Sequence, residues 1–270
     1  MASKLKTFED VAFINEEQTA VPISEGEDIE KLKKLKEVSQ KFLKVNDFDI
    51  SHEPNFEDLS SDQFIDYIEE NNKKNLMITK FDELNIDITF RSSMSNYYKH
   101  KYIDNNNIFI FFLPDDNRSS NSVSFTDFKK FITLVFKLDC REGLLISQKD
   151  LSPISLKQVK QCNINPGSCE NIYNIITYKD DDFIDLTKHA FIPEVLDIYR
   201  AGEVADKFGK DNKISISKLP RQLMDDPVTK FYRGKVGDIF KLRRKNISRY
   251  NILGEQLIYR IVASAVFKKS

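Results

Sequence analysis

The sequence predicts two modules, an α/β module over residues 28–182 and a small α+β module over residues 183–270, with a tail at residues 1–27. Three observations carry this. Apolar residues recur at helical and then at strand spacing along the first part of the chain. A charged run, Lys179-Asp180-Asp181-Asp182, separates that pattern from a second one. The charge also changes sign: Phe183–Ser270 holds 18 Lys and Arg against 10 Asp and Glu, whereas residues 1–182 hold 23 against 32. Such asymmetry marks modules with different neighbours. The basic part suits nucleic acid or an acidic protein surface, and charge alone does not choose between them.

The elements follow in order. Residues 1–27 carry scattered apolar groups, Pro22 and an acidic cluster without a sustained period. From Asp28, the residues Ile29, Leu32, Leu35, Val38, Phe42 and Val45 recur every three or four positions, which predicts an amphipathic helix. Its lysines (Lys31, Lys33, Lys34, Lys36, Lys41, Lys44) read as a solvated face. A second helix fits Asp62–Glu70, capped by Ser60 or Ser61, with Phe64, Ile65 and Ile68 inward. Leu76–Thr79, Ile86–Phe90 and Asn107–Leu113 read as strands. Ser124 caps a helix whose apolar side is Phe125, Phe128, Ile132 and Val135. Leu144–Ser147 is a strand, Pro153–Lys160 a short helix with Pro153 in its first turn, and Ile172–Tyr178 a further strand.

The second module reads as a helix around Gly202–Phe208, a turn-rich LPRQLMDDP segment, and a short helix from Asp226 to Tyr232. Asp225 or Asp226 caps that helix and Pro227 takes its first position. Pro220 and Pro227 fix two φ angles and compact the turn, and Arg221 could fork onto a carboxylate or free carbonyls. Val236–Arg244 and Leu257–Val262 close the module as an antiparallel pair.

Several classes are excluded. No run approaches the roughly 18–20 apolar residues that span a bilayer, and the N-terminus has no apolar core of a secretory signal. Three cysteines give no disulfide framework and fit a reducing compartment. Cys140, Cys162 and Cys169 lack paired metal-ligand spacing, and His52, His100 and His189 are scattered, so no metal site is expected. With eight glycines and no GxxxxGK[ST], GxGxxG or GxSxG, neither a phosphate-cradling loop nor a serine nucleophile elbow is present. Pro114-Asp115 followed by Asp127-Phe128-Lys129 matches the loose PD…(D/E)xK pattern of Mg²⁺-dependent nucleases. Two carboxylates would hold the metal and the lysine would sit beside the attacking water. Those groups belong on a strand, however, and Asp127 and Lys129 fall in a helical period, where Asp127 suits the helix dipole.

The most specific text lies in the second module. His189-Ala-Phe-Ile-Pro193, Leu219-Pro220-Arg221, Asp226-Pro227-Val228, Gly237-Asp238-Ile239-Phe240-Lys241-Leu242-Arg243 and Tyr259-Arg260-Ile261-Val262 occur in that order. Together they resemble the C-terminal assembly domain of the fifth-largest subunit of eukaryotic-type DNA-directed RNA polymerases, a family that includes a shorter archaeal counterpart. That family reads H-x-L-V-P, then LP-[RK] and DPV, then G-x-VVKI-R, and ends Y-R-[IL]-V. The segment Leu144–Ser155 is similar in shape to the family's strand followed by N-I-T-P-S-A, with Ser152 in place of Thr. The sequence departs from the pattern at Val195, near where the family has a second histidine. It departs again at Asn246–Gln256, longer than the family's S-E-T-[SA]-G-R-Y loop. The divergence and the Lys-, Asn- and Ile-rich composition fit an AT-rich genome, such as that of a large DNA virus or a parasite.

The resemblance implies an α/β N-terminal jaw domain with a nuclease-like sheet lacking nuclease chemistry, and a small α+β assembly domain docking on the largest polymerase subunit. It implies a non-catalytic role without a cofactor, membrane or small-molecule substrate, inside the cell: in the nucleus, or in a viral factory and the virion for a viral chain. His189, Pro193, Arg221, Asp226, Pro227, Arg243 and Arg260 would then be partner-binding or fold-specifying. Lys149, Ser152, Ser155 and Lys157, around the helix start at Pro153, would face phosphates of downstream double-stranded DNA.

Overall fold

The computed structural model describes residues 29–74, 94–113, 122–164, 174–189, 191–202, 208, 212, 215–244 and 256–264. The expected strands at Leu76–Thr79 and Ile86–Phe90, the tail, Asp115 and nearly all of the loop 246–256 lie outside these residues. So does most of the helix expected around Gly202–Phe208, although Phe208 itself is buried. By contacts the chain divides into two compact units. The first takes residues up to Lys34 with Asn55–Tyr97 and Asn106–Asp180; the second takes Leu35–Pro54, Tyr98–Asn105 and Asp181–Ser270. This differs from the division expected at the charged run, because most of the first helix and the 98–105 turn group with the C-terminal residues.

The first unit is built around a sheet in which β2 (Asn107–Phe112), β4 (Glu142–Ser147) and β6 (Asn174–Lys179) run parallel, with β1 (Asn96–Lys99) at its edge. Strand β4 is buried along its whole length, as expected where helices cover a parallel sheet. The short strands β3 (Ser122–Val123) and β5 (Asp150–Leu151) pair separately. Two helices connect the parallel strands: α3 (Phe125–Lys137) and α4 (Pro153–Ile164). A further helix, α2 (Ser61–Lys74), runs longer than the sequence predicts.

Helix α3 starts where Ser124 predicts: the Ser124 hydroxyl accepts the Asp127 amide at 3.1 Å and donates to the Asp127 carboxylate at 2.5 Å. Its buried face is Phe128, Phe131, Leu134 and Val135. Phe125, expected inward, is 41% exposed, and Ile132 is only partly buried. The ring of Phe131 lies nearly parallel to those of Phe109 and Phe111, at 6.4 and 6.0 Å between centroids. This close approach is possible because β4 carries Gly143 opposite. Cys140 is buried and free, and burial, with Asp139 beside it, raises its thiol pKa to about 12. Cys162 is held in a disulfide, which departs from the expectation of reduced cysteines throughout.

In the second unit, α1 (Ile29–Val45) contributes its length from Leu35 onward. Phe42 meets the Phe231 ring edge-on at 5.6 Å, and the Asn46 amide donates to the carbonyls of Phe42 and Phe231 at 2.7 and 2.9 Å. The solvated lysine face fails at Lys36, which is 2% exposed. Its Nζ lies 2.7 Å from Glu53 Oε1 and donates to Tyr98 Oη at 2.9 Å, while Tyr98 donates to the same carboxylate at 2.7 Å. At 100° per residue, Lys36 shares a stripe with Leu32, Ser39 and Leu43, so it is enclosed with them.

The second unit's sheet has the order β7 (Glu194–Tyr199), β9 (Ile239–Arg244), β10 (Gln256–Ala263), β8 (Arg221–Leu223). The expected antiparallel pair is β9 and β10, in register from Gln256↔Arg244 to Ile261↔Ile239. Strands β7 and β8 were not expected; β8 pairs parallel to β10 and is three residues long. Both sheet faces are covered: Phe240, Leu242 and Val262 form one cluster, and Tyr199, Phe208, Leu219 and Ile239 another.

A methyl group added at Gly143 would sit 2.7 Å from Phe131 Cζ and 2.9 Å from Val135 Cγ2. Gly143→Ala should therefore destabilise the protein by about 1–3 kcal/mol through overpacking, read as a lower midpoint in urea unfolding. An unchanged midpoint would mean that α3 can shift away from the sheet freely.

Candidate functional site

The segment from Leu219 to Tyr232 folds as a capped turn. Asp226 is the N-cap of α5 (Pro227–Phe231), accepting the Val228 and Thr229 amides at 2.9 and 3.4 Å, with Pro227 at the first helical position. Both features are those the sequence predicts. Gln222, buried on β8, donates to Asp226 at 3.2 Å and to the buried Thr229 hydroxyl at 2.9 Å. Strand and helix start are thereby tied together. Arg221 precedes this lock and is exposed on β8. It makes no side-chain fork onto the described residues, contrary to the expectation of an intramolecular carboxylate or carbonyl partner.

The other expected partner-binding residues spread over the same sheet instead of converging. His189 is exposed and its Nδ1 accepts the Phe191 amide at 3.4 Å, in a turn that leads through the half-buried Pro193 into β7. Phe191 beside it is 77% exposed. Arg243 forks onto Glu194 across β9 and β7, with both contacts at 3.0 Å. Arg260 is half-buried on β10, opposite Phe240. Because β7 and β8 are the two edges of the sheet, His189 and Arg221 belong to opposite edges.

Sequence reasoning missed the residue that organises this unit. Asp238 is 1% exposed. Its Oδ1 accepts the Ala201 amide at 2.7 Å, and its Oδ2 accepts the Lys235 amide and Arg200 Nη1, each at 2.9 Å. Arg200 also donates to the Arg233 carbonyl at 3.3 Å. The preceding Gly237 has φ +94°, a left-handed conformation that favours glycine, so Val236–Asp238 turns and β9 begins only at Ile239. The visible signal was the Gly-Asp pair ahead of an apolar run, which reads equally well as a surface turn.

Nearby, burial lowers the Lys230 pKa from its usual range, against the opposing pull of Asp225 and Asp182. Burial likewise raises that of Tyr232, assisted by Asp185 and Glu194.

In the first unit, Ser152 precedes α4 and accepts the Ser155 amide at 3.3 Å. The two hydroxyls lie 2.8 Å apart. Ser155 is fully buried, so its hydroxyl serves the helix start and does not face an outside phosphate. Lys149 is half-buried, and the Ser147 hydroxyl donates to its carbonyl at 2.8 Å. Lys157 is exposed on α4, between the exposed Ile154 and the exposed Lys160.

The nuclease pattern is not assembled. Asp127 and Lys129 lie on α3 and not on a strand, Asp127 is occupied by the cap and by Lys130 at 3.4 Å, and Lys129 is exposed. Among the described residues no group of three or more His, Cys, Asp or Glu is placed to hold a metal ion, and no helix is long and apolar enough to cross a membrane.

The sheet and its capped turn, from β7 through β10, define the C-terminal domain of an RNA polymerase subunit. Residues 184–262 match the family described as RNA polymerase Rpb5, C-terminal domain. Over 83 residues the chain is 35% identical to "DNA-directed RNA polymerase subunit Rpo5" of Sulfurisphaera tokodaii, covering 30% of this chain and 89% of that protein. The subunit Rpo5 of Metallosphaera sedula is 35% identical over 83 residues, covering 30% of this chain and 90% of its own length. That of Methanosphaera stadtmanae is 33% identical over 78 residues, covering 29% of this chain and 94% of its own. The chain belongs to the Rpb5/Rpo5 family of DNA-directed RNA polymerase subunits.

Asn at position 238 keeps one acceptor oxygen and turns an NH₂ toward an N–H or guanidinium donor. Asp238→Asn should cost about 2–4 kcal/mol, measured by chemical denaturation; an unchanged stability would remove Asp238 as the organiser. Purified chain with Mg²⁺ or Mn²⁺ should leave duplex DNA intact on a gel, and cleavage abolished by Asp115→Ala would restore the nuclease reading.

Proposed function

We propose that this chain is a non-catalytic subunit of a multisubunit polymerase, docking through residues 183–270 on the largest subunit and contacting downstream duplex DNA at the start of α4. The observation that carries the reading is the ordered match over residues 184–262 on a sheet whose buried polar groups serve the fold. Nucleotidyl transfer then belongs to other subunits, and this chain needs no cofactor. Residues 28–182 act as the jaw, a nuclease-like parallel sheet in which Asp127 has become part of a helix cap. The protein works inside the cell, where the polymerase works.

Within this reading the exposed Arg221 and Phe191 are docking residues. Asp226, Pro227 and Arg243 shape the surface through their own intramolecular contacts, and His189, Pro193 and Arg260 complete it. Lys149 and Lys157 supply phosphate contact, supported by the free amides at the start of the helix that Ser152 precedes and Pro153 opens. Ser155 holds Ser152 in place.

Two variants separate the roles. Lys149→Ala with Lys157→Ala should leave incorporation into the polymerase intact and lower the salt slope of DNA binding by about 0.9 for each phosphate no longer neutralised. Arg221→Glu, an exposed charge reversal that spares folding, should reduce incorporation in gradient sedimentation. Assembly blocked by the lysine pair and normal with Arg221→Glu would reverse the two assignments.

A further inference from the structure

Helix α3 has a second face. Opposite its buried side it presents Phe125 and Phe136, 41% and 42% exposed, together with exposed Lys129, Lys130 and Lys137. At 100° per residue, positions 125, 129 and 136 form one stripe flanked by 130 and 137. Lys130 is paired with Asp127. Lys129 and Lys137 have no acidic partner among the described residues. An aromatic, lysine-lined stripe stands out in residues 1–182, where acidic groups outnumber basic ones by 32 to 23. Its complement is an acidic segment with large apolar side chains.

The chain carries such a segment. Residues 8–17 read Phe-Glu-Asp-Val-Ala-Phe-Ile-Asn-Glu-Glu, with four carboxylates, no basic group, and Phe8, Val11, Phe13 and Ile14. Residues 1–28 together hold seven acidic groups against two lysines. The segment is tethered to Ile29, whose stretch to Lys34 belongs to the same compact unit as α3. The intervening residues 18–28 can extend up to about 40 Å. A tether of that order sets a millimolar effective concentration, enough to populate a contact that would be weak between separate molecules.

We propose that residues 8–17 dock on the exposed face of α3, with their apolar side chains on Phe125 and Phe136 and their carboxylates against Lys129 and Lys137. The segment is then an internal ligand for this lysine face, and any phosphate or acidic partner of α3 has to displace it. The contact does not depend on the polymerase assignment, since both sides belong to this chain.

Carbodiimide cross-linking of the full chain, as an equal mixture of ¹⁴N and ¹⁵N protein, tests it directly. Links should join Glu9, Asp10, Glu16 or Glu17 to Lys129 or Lys137 within one isotope label. They should fall about fivefold when salt rises from about 0.05 M to about 0.5 M, because exposed charges are screened. A full-length variant with Glu9→Gln, Asp10→Asn, Glu16→Gln and Glu17→Gln should raise the acetylation rate of Lys129 and Lys137 about threefold, the scale of an exposed ion pair. Links that go mainly to Lys31, Lys33, Lys34 or Lys44 would overturn the proposal. So would links between isotope labels, no links at all, or unchanged acetylation.

Discussion

The buried carboxylate of Asp238 is the point on which the C-terminal sheet depends. Three donors from two separated segments, Arg200–Ala201 and Lys235, converge on its two oxygens. A buried carboxylate is tolerated only when such donors surround it. The convergence fixes where β7 ends relative to the turn that starts β9, and hence the pairing of Glu194 with Arg243 along the same two strands. From β9 the order passes to β10 by antiparallel pairing and to β8 by the Gln222–Asp226–Thr229 lock. The Gly237 amide donates to the Val262 carbonyl and the Val262 amide to the Asp238 carbonyl, which closes the same corner.

Much of this was legible in the sequence. The Ser124 and Asp226 caps, Pro227 at a first helical position and the β9–β10 pair were all readable, because caps, prolines and alternating apolar runs act locally. What was not legible depends on partners far away in sequence. Strand β8 is three residues long, too short for a period, and exists because β10 offers it an edge. Lys36 looks like one lysine among six on a helix, and only the arrival of Glu53 and Tyr98 encloses it. Phe125 looks like the first core residue of α3, yet the geometry of the Ser124 cap turns it outward while Phe131 takes the centre of the core.

The candidate site follows the same rule. Residue identity at the Leu219–Val228 turn predicted a capped, proline-fixed structure, and it is one. Their chemistry did not predict which side chains would be consumed internally: Arg243 is paired with Glu194 and Ser155 is buried, whereas Arg221, Phe191 and Lys157 remain on the surface. The PD…DxK text shows the converse. A motif with the right letters becomes part of a helix cap once the period around it is helical, and the carboxylate that would hold a metal holds the first turn of α3 instead.

A polymerase subunit of this family should be found in the enzyme and not beside it. Affinity purification of the tagged chain from its native cells, followed by quantitative mass spectrometry, tests this most directly. The two largest polymerase subunits should appear at a one-to-one ratio with the tagged chain after a high-salt wash. Recovery of the chain without them, alone or with unrelated proteins in fixed ratio, would contradict its place in the polymerase.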